Sequence, residues 1–414
     1  DLADTEHDNI AIGHDTMTAQ IAGASQNVAI GSYALDALTT GDANIAIGHN
    51  AMTANTSGEL NVAIGYQAME TSTTAAGGVG IGSKALKVNT ADYNTAVGQN
   101  ALLANTTGTR NVAIGADTLK TVTTGGYNTA VGSQAMQLHT TGSENTAIGY
   151  GALYSSTTGT KSVSLGKNSL RLNTTGTENT ALGYQAMDKN TTGSENTAVG
   201  SYAMLAAGAG ASNTAIGYKA GTAITGGGNN SLLGFNAGGS LTGGGNNTFI
   251  GKDTGVTGSP GGAFINADHG VVIGDENITA CHIQVDWTVA SDQRDKTDFA
   301  DLDVGLDFVN DLKPVTYKWD KRSKYGDKYA DDYDLNAITH DGTHKEDWLD
   351  IGFKAQEVEA LEKAAGYKLA DKTNLTTTLS NDGKQYGIQY NKFVPILVKA
   401  IQELSAEIEI LKAK

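Results

Sequence analysis

A short signature, close to Asn-x-Ala-[Ile/Val]-Gly, returns fifteen times in the first 251 residues of this 414-residue chain. Its glycines are Gly13, Gly31, Gly48, Gly65, Gly82, Gly98, Gly115, Gly132, Gly149, Gly166, Gly183, Gly200, Gly217, Gly234 and Gly251, seventeen residues apart except for one step of eighteen and one of sixteen. A fixed period of this kind marks one small structural unit stacked many times, and it constrains the fold more than any other feature. Ile, Val or Leu precedes every glycine, as at Ile12, Ile30, Ile47, Val199, Ile216, Leu233 and Ile250. Leu or Met recurs four residues after it, at Leu35, Met52, Met69, Leu86, Leu102, Met136, Leu153, Met187 and Met204, with Ala34, Ala51 and Ala68 showing the small residue before. Thr-Thr-Gly or a similar turn separates the units, as at Gly108, Gly142 and Gly176.

A strand plus a crossover helix takes about 30 residues, so a seventeen-residue unit has no room for one. It fits two short strands, the segment ending in [Ile/Val]-Gly and the segment x-Ala-[Leu/Met], joined at Asn and Thr-Thr-Gly corners. Stacking these units predicts a mainly β fold, a parallel β-solenoid or β-roll. The β-branched column and the Leu/Met column are expected to form continuous internal ladders. At about 4.8 Å per coil, fifteen coils make a rod of roughly 70 Å. Each unit offers little apolar surface against the entropy of ordering seventeen residues, so further burial between chains is expected, with a homotrimer as the natural arrangement. In the last repeats Gly221, Gly238 and Gly255 replace the Leu/Met column, which implies a narrower core or a different trimer packing.

Composition sets the outer limits. A net charge of −16 argues against a nucleic-acid partner, which needs a dense Lys/Arg surface. The single Cys281 rules out an intrachain disulfide. No eighteen-residue apolar run is present for membrane insertion. The chain begins at Asp1 rather than Met, which reads as a fragment or processed form and leaves targeting unreadable. No cofactor motif or metal-ligand cluster stands out. His340 and His344 flank Asp341-Gly342, the mark of a loop, so they are not taken as metal ligands. Carboxylates in the repeats, such as Glu144, Glu178 and Glu195, are scattered at corners rather than paired.

The repeat resembles the head repeats of trimeric autotransporter adhesins, which form a trimeric left-handed parallel β-roll, and similar repeats occur in bacteriophage fibres. The resemblance implies a trimeric roll over residues 1–257 without fixing its handedness or register. Periodicity fades over residues 258–290, where Phe264, His269, His282 and Trp287 appear. That segment reads either as a cap or tip in contact with a receptor or as a plain junction.

After about residue 285 charged and aromatic residues become frequent. Ser-Asp-Gln-Arg-Asp-Lys runs from Ser291 to Lys296, followed by Leu312–Trp319, Gly352–Glu359 and Tyr386–Leu404. These four segments, in this order, resemble the intramolecular chaperone auto-processing domain that ends phage endosialidases and tail fibres. The resemblance covers residues 291–414 and implies a smaller α+β chaperone domain. It also implies autoproteolysis between Ala290 and Ser291, with Ser291 as nucleophile, Lys296 as general base, and Asp292 and Arg294 as supporting motif residues. A serine hydroxyl is a weak nucleophile until a base takes its proton, and a lysine serves only when held neutral. Five residues apart, the two side chains fall on opposite faces of a strand and about 140° apart on a helix. A turn between them, or a lysine from a neighbouring chain, is therefore required. Leu397, Ile401, Leu404, Ile408 and Leu411 step by four and three, which predicts a coiled-coil helix over about 393–414.

Taken with that resemblance, the expected function is a structural, host-binding fibre of a phage tail, matured by its own single-turnover serine endopeptidase. Its expected partners are two further copies of itself, other phage tail proteins, and a host surface receptor, a glycan or outer-membrane component. The expected location is the virion after assembly in the host cytoplasm. The alternatives are a cell-surface trimeric adhesin and a polysaccharide-degrading tail spike.

Overall fold

A computed structural model of the chain describes residues 8–19, 23–282, 284, 289–328, 330 and 332–414. Trp287 lies outside the described residues. The chain divides into two compact units, Asp1–Asp253 with Ile265–Val271 and Thr254–Phe264 with Val272–Lys414.

Among the described residues, sixteen three-residue strands, β1 (Ile10–Ile12) to β16 (Val271–Ile273), form one parallel sheet whose order follows the chain. Each coil therefore returns to its starting point one strand further along. Register holds at the repeat length, with Ile45 beside Val62 and Ile47 beside Ile64. The parallel β-solenoid is thus as expected. The last strand belongs to Val-Val-Ile-Gly at 271–274, a sixteenth copy hidden by the longer 23-residue step from Gly251 to Gly274.

The interior differs from expectation in three respects. The β-branched column does not form an internal ladder. Strand side chains alternate, and here the middle residue turns inward: Ala29, Ala46 and Ala63 are fully buried, while Ile45, Ile114, Ile148 and Leu165 are 36–43 % exposed on the outside. The facing wall explains the choice, because Met52, Met69 and Leu86 are themselves fully buried and leave room only for alanine opposite.

The segment x-Ala-[Leu/Met] is a turn, not a second strand. Asn50 and Met52 have φ of 56° and 53°, and Gln67 and Met69 repeat this, a left-handed conformation no pleated strand accommodates. The strain is offset by hydrogen bonds along the stack: Asn50 N donates to Ser32 O one coil back, and Met52 N to Ala68 O one coil ahead. The glycine of the signature completes the coil. Gly48 has φ of +135°, and a Cβ there would lie 2.5 Å from the carbonyl oxygen of Gly65, so both conformation and stacking demand glycine.

The asparagines at the corners are buried. Asn128 is fully buried, its Nδ2 donating to Asn111 Oδ1 and Gly142 O and its Oδ1 accepting from Asn145 N and Nδ2. Repeated coil by coil, this forms a polar ladder inside the wall that satisfies the turn's backbone groups.

Where Gly221 and Gly238 replace the Leu/Met column, the core is refilled rather than narrowed. Leu232 and Phe249 take the strand position normally held by alanine and are buried; a Cβ on Gly238 would meet Leu232 Cδ1 at 2.9 Å and Phe249 Cδ2 at 3.3 Å. Large and small residues have exchanged walls.

A second interior column runs through Asn55, Asn89, Asn105, Asn173 and Asn190, each bonded to the turn that follows it, which is Thr-Thr-Gly after Asn105, Asn173 and Asn190. His139 occupies one step, fully buried, with Nε2 2.8 Å from Gly142 O. Burial lowers its pKa below the ordinary 6.5, outweighing the contacts with the backbone of Gly142 and with Ser156. The unfolded chain binds the proton more readily, so His139's contribution is complete above about pH 6.5 and is lost as pH falls towards the lower folded value. Measured against the intrinsic amide rate at each pH, hydrogen-exchange protection of the coils around residues 122–156 is expected to fall between neutral and mildly acid pH, and His139→Asn to remove that dependence. Equal acid sensitivity in both chains would contradict this role.

The second unit packs α1 (Leu306–Asp311), α2 (Ala355–Ala364) and α3 (Phe393–Lys412) with two antiparallel pairs, β17 (Val315–Tyr317) with β18 (Asp350–Gly352) and β19 (Thr377–Leu379) with β20 (Tyr386–Ile388). Val304, Phe308, Val358, Phe393 and Ile396 form its core. α3 is divided along its length: its start buries Phe393, Ile396 and Ala400, whereas Leu397, Ile401, Leu404, Ile408 and Leu411 of the expected seam are all exposed.

Candidate functional site

Ser291 and Lys296 are joined by one turn of their own chain. Asp292 is extended (φ −67°, ψ 131°), and its carboxylate accepts the backbone N–H of Arg294, opening a 3₁₀ turn over Gln293–Asp295. Short polar side chains start turns in this way because the carboxylate satisfies an amide that would otherwise lack a partner. The N–H of Lys296 then donates to Gln293 O and the chain leaves in an extended conformation. The reversal carries Lys296 Nζ to 2.5 Å from Ser291 Oγ. The lysine comes from the same chain, so no neighbouring subunit is needed to form the contact.

Asp292 and Arg294 support the turn. Arg294 Nη2 lies 2.5 Å from Asp292 Oδ2, and its Nε lies 3.1 Å from Oδ1. The hydrogen bond to the Arg294 side chain is the largest influence holding the Asp292 carboxyl below its usual range, and the same contact raises the guanidinium. The carboxylate nearest the serine in sequence is thus matched by a cation other than Lys296. All four side chains are exposed, as are Val289 and Ala290 on the preceding segment. Chemically the arrangement pairs a hydroxyl with an amine that accepts its proton once neutral, beside an open peptide bond.

The other three motif segments build the domain rather than the site. Leu312–Trp319 supplies β17, Gly352–Glu359 the end of β18 and the start of α2, and Tyr386–Leu404 supplies β20 and most of α3. His340 and His344 both set their rings against Tyr325. Among the described residues no cluster of three or more His, Cys, Asp or Glu could hold a metal ion.

Sequence reading passed over Glu362. It lies on α2 in a run of charged residues, yet it is 1 % exposed. Its carboxylate accepts from Thr376 N at 2.6 Å, Thr376 Oγ1 at 2.7 Å, Thr377 N at 3.1 Å and Thr377 Oγ1 at 2.6 Å. Burial raises its pKa, but the hydroxyls of Thr377 and Thr376 and their amides together outweigh burial and hold it below the usual carboxylate value. This contribution is present above the unfolded pKa near 4.5 and is lost as pH falls through the depressed folded value. Glu362→Gln is expected to destabilise the domain by about 2–4 kcal/mol, because an amide cannot accept from all these donors. Thermal unfolding checks it, and a change under about 0.5 kcal/mol would sink the assignment. The only sequence signal was Thr-Thr-Thr at 376–378, uninformative without its partner.

No curated protein sequence matches the chain significantly. Residues 291–367 match the peptidase family model described as chaperone of endosialidase, beginning on Ser291 itself and ending before Tyr386–Leu404. This match supports a chaperone domain of that type at the C-terminal end of the β-solenoid.

Proposed function

We propose that the chain is a trimeric, host-binding fibre of a bacteriophage tail whose C-terminal domain drives assembly and then cuts the Ala290–Ser291 bond. The observation that carries this reading is the 2.5 Å contact between Lys296 Nζ and Ser291 Oγ at the first residue of the family match. Ser291 lies on the leaving-group side of the bond, so attack on Ala290 is an acyl shift from nitrogen to oxygen. Neutral Lys296 takes the hydroxyl proton, and Oγ adds to the Ala290 carbonyl carbon. The proton passes to the Ser291 nitrogen as the C–N bond breaks, leaving an ester and a free amine. Water then hydrolyses the ester, giving the Ala290 carboxylate and restoring the Ser291 hydroxyl. One water is consumed per cut, and the chain turns over once.

Assembly is supported by surfaces a lone chain leaves bare. Outward Ile, Val and Leu side chains recur coil after coil on the sheet, and α3 exposes its heptad-spaced face. Continuous apolar strips of this kind mark interaction surfaces. The repeats' resemblance to trimeric heads favours three copies. Host attachment, through a glycan or outer-membrane component, and a place among other tail proteins complete the proposal.

Separating the two parts of the chain tests the chaperone role. The full chain is expected to sediment as a trimer, while residues 1–290 expressed alone are expected to aggregate or stay unassembled. Equal yields of the same trimer from both would contradict it.

A further inference from the structure

Residues before the Ala290–Ser291 bond are held by residues after it. Thr254–Phe264 and Val272–Lys414 form one compact unit, so the bond divides that unit rather than bounding it. Asp382 Oδ2 accepts the N–H of Ala263 at 3.0 Å, and Asn381 N donates to Gly261 O at 3.0 Å. Between these bonds Gly262 is packed so closely that a Cβ would stand 2.4 Å from Asp382 Oδ1. Further along, Lys328 Nζ lies 2.7 Å from Glu276 Oε1, with side chains only 11 % and 5 % exposed. Lys321 Nζ donates to Glu276 O at 2.7 Å. The connection itself carries none of this: Val289, Ala290 and Ser291 are exposed.

We propose that the C-terminal piece stays docked on the N-terminal piece after the cut, through a clamp formed by Glu276 with Lys328 and Lys321 and by the 261–263 backbone with Asn381 and Asp382. The partner of this surface is the chain's own other fragment. Cutting an exposed linker removes no contact of the clamp, and a desolvated ion pair is screened little by salt. Release is then a second step, separate from cleavage. The inference rests on the cleavage reading, and the test keeps the two apart.

The full chain carrying Ser291→Ala, with a specific protease sequence inserted between Ala290 and Ser291, is cut to completion and passed over a size-exclusion column. Both pieces are expected to co-elute, and the amides of Ala263 and Asn381 to keep their hydrogen-exchange protection after the cut. Glu276→Gln and Asp382→Asn, which preserve side-chain shape, are each expected to speed release of the light piece about a hundredfold, with uncut melting curves reporting the fold. Separation of the parent's pieces, or loss of that protection, overturns the clamp. Co-elution that survives both substitutions also overturns it, since something else must then hold the pieces. A wild-type chain that never cuts itself would count against the cleavage reading alone, because the inserted site reports docking independently.

Discussion

Ser291→Ala is expected to leave the 414-residue chain whole on a denaturing gel, while the wild type yields pieces of 290 and 124 residues. Without the hydroxyl no ester forms, so the loss should be complete over hours. Lys296→Met keeps the nucleophile and removes the base, which should slow cutting by about 10²–10⁴-fold. Lys296→Arg is the sharper variant. It keeps the charge and length that a purely structural ion contact would need, yet a guanidinium is never neutral in a protein and cannot take the proton. Arginine should therefore fare no better than methionine. Near-normal cutting in Lys296→Arg would assign the 2.5 Å contact a positioning role and place the base elsewhere. Asp292→Asn should be milder, since the turn loses charge but keeps an acceptor for Arg294 N.

The second large effect concerns the outer face of the sheet. Ile114, Ile148 and Ile216 are 39–41 % exposed and stand on one side of the stack. Asp at all three is expected to convert the proposed trimer to a monomer at micromolar concentration, with the circular dichroism of the solenoid unchanged. Each copy would bring three carboxylates into an apolar contact, and an unpaired buried charge costs several kcal/mol. The inward neighbour gives the contrast. Ala147 is fully buried against the opposite wall, so Ala147→Asp should unfold the coils around it instead of separating copies. A trimer that tolerates all three outward carboxylates would remove this face from the interface.

Much of the fold was legible because a period is a stronger signal than any single propensity. The glycine column and the Leu/Met column identified the coil and its interior. The direction of the strand was not legible. Val and Ile flanking Ala in Val28–Ile30 read as core by hydrophobicity, yet a three-residue strand sends its first and third side chains to the same side. Which side that is depends on the opposite wall, where Met and Leu already fill the space. The exchange at Leu232 and Phe249 against Gly221 and Gly238 shows the same rule from the other direction. A left-handed Met52 also runs against propensity and follows only from bonds to neighbouring coils.

At the site, the spacing of Ser291 and Lys296 required a turn or a neighbouring chain's lysine, and the turn found begins at Asp292, a residue type suited to starting one. Glu276, Glu362 and Asp382 could not be recognised, because Lys328, Thr376 and Ala263, the partners that define their roles, lie 52, 14 and 119 residues away in sequence. Charged residues of this kind look solvated until the fold brings donors to them.

The most direct test is the mass and N-terminal sequence of the light piece from purified wild-type chain. A 124-residue fragment beginning Ser291-Asp292-Gln293 with a free amine is expected, together with a heavy piece ending in the Ala290 carboxylate. An intact 414-residue chain within a well-folded trimer, or a fragment beginning at any other residue, would contradict cleavage by the Ser291–Lys296 pair.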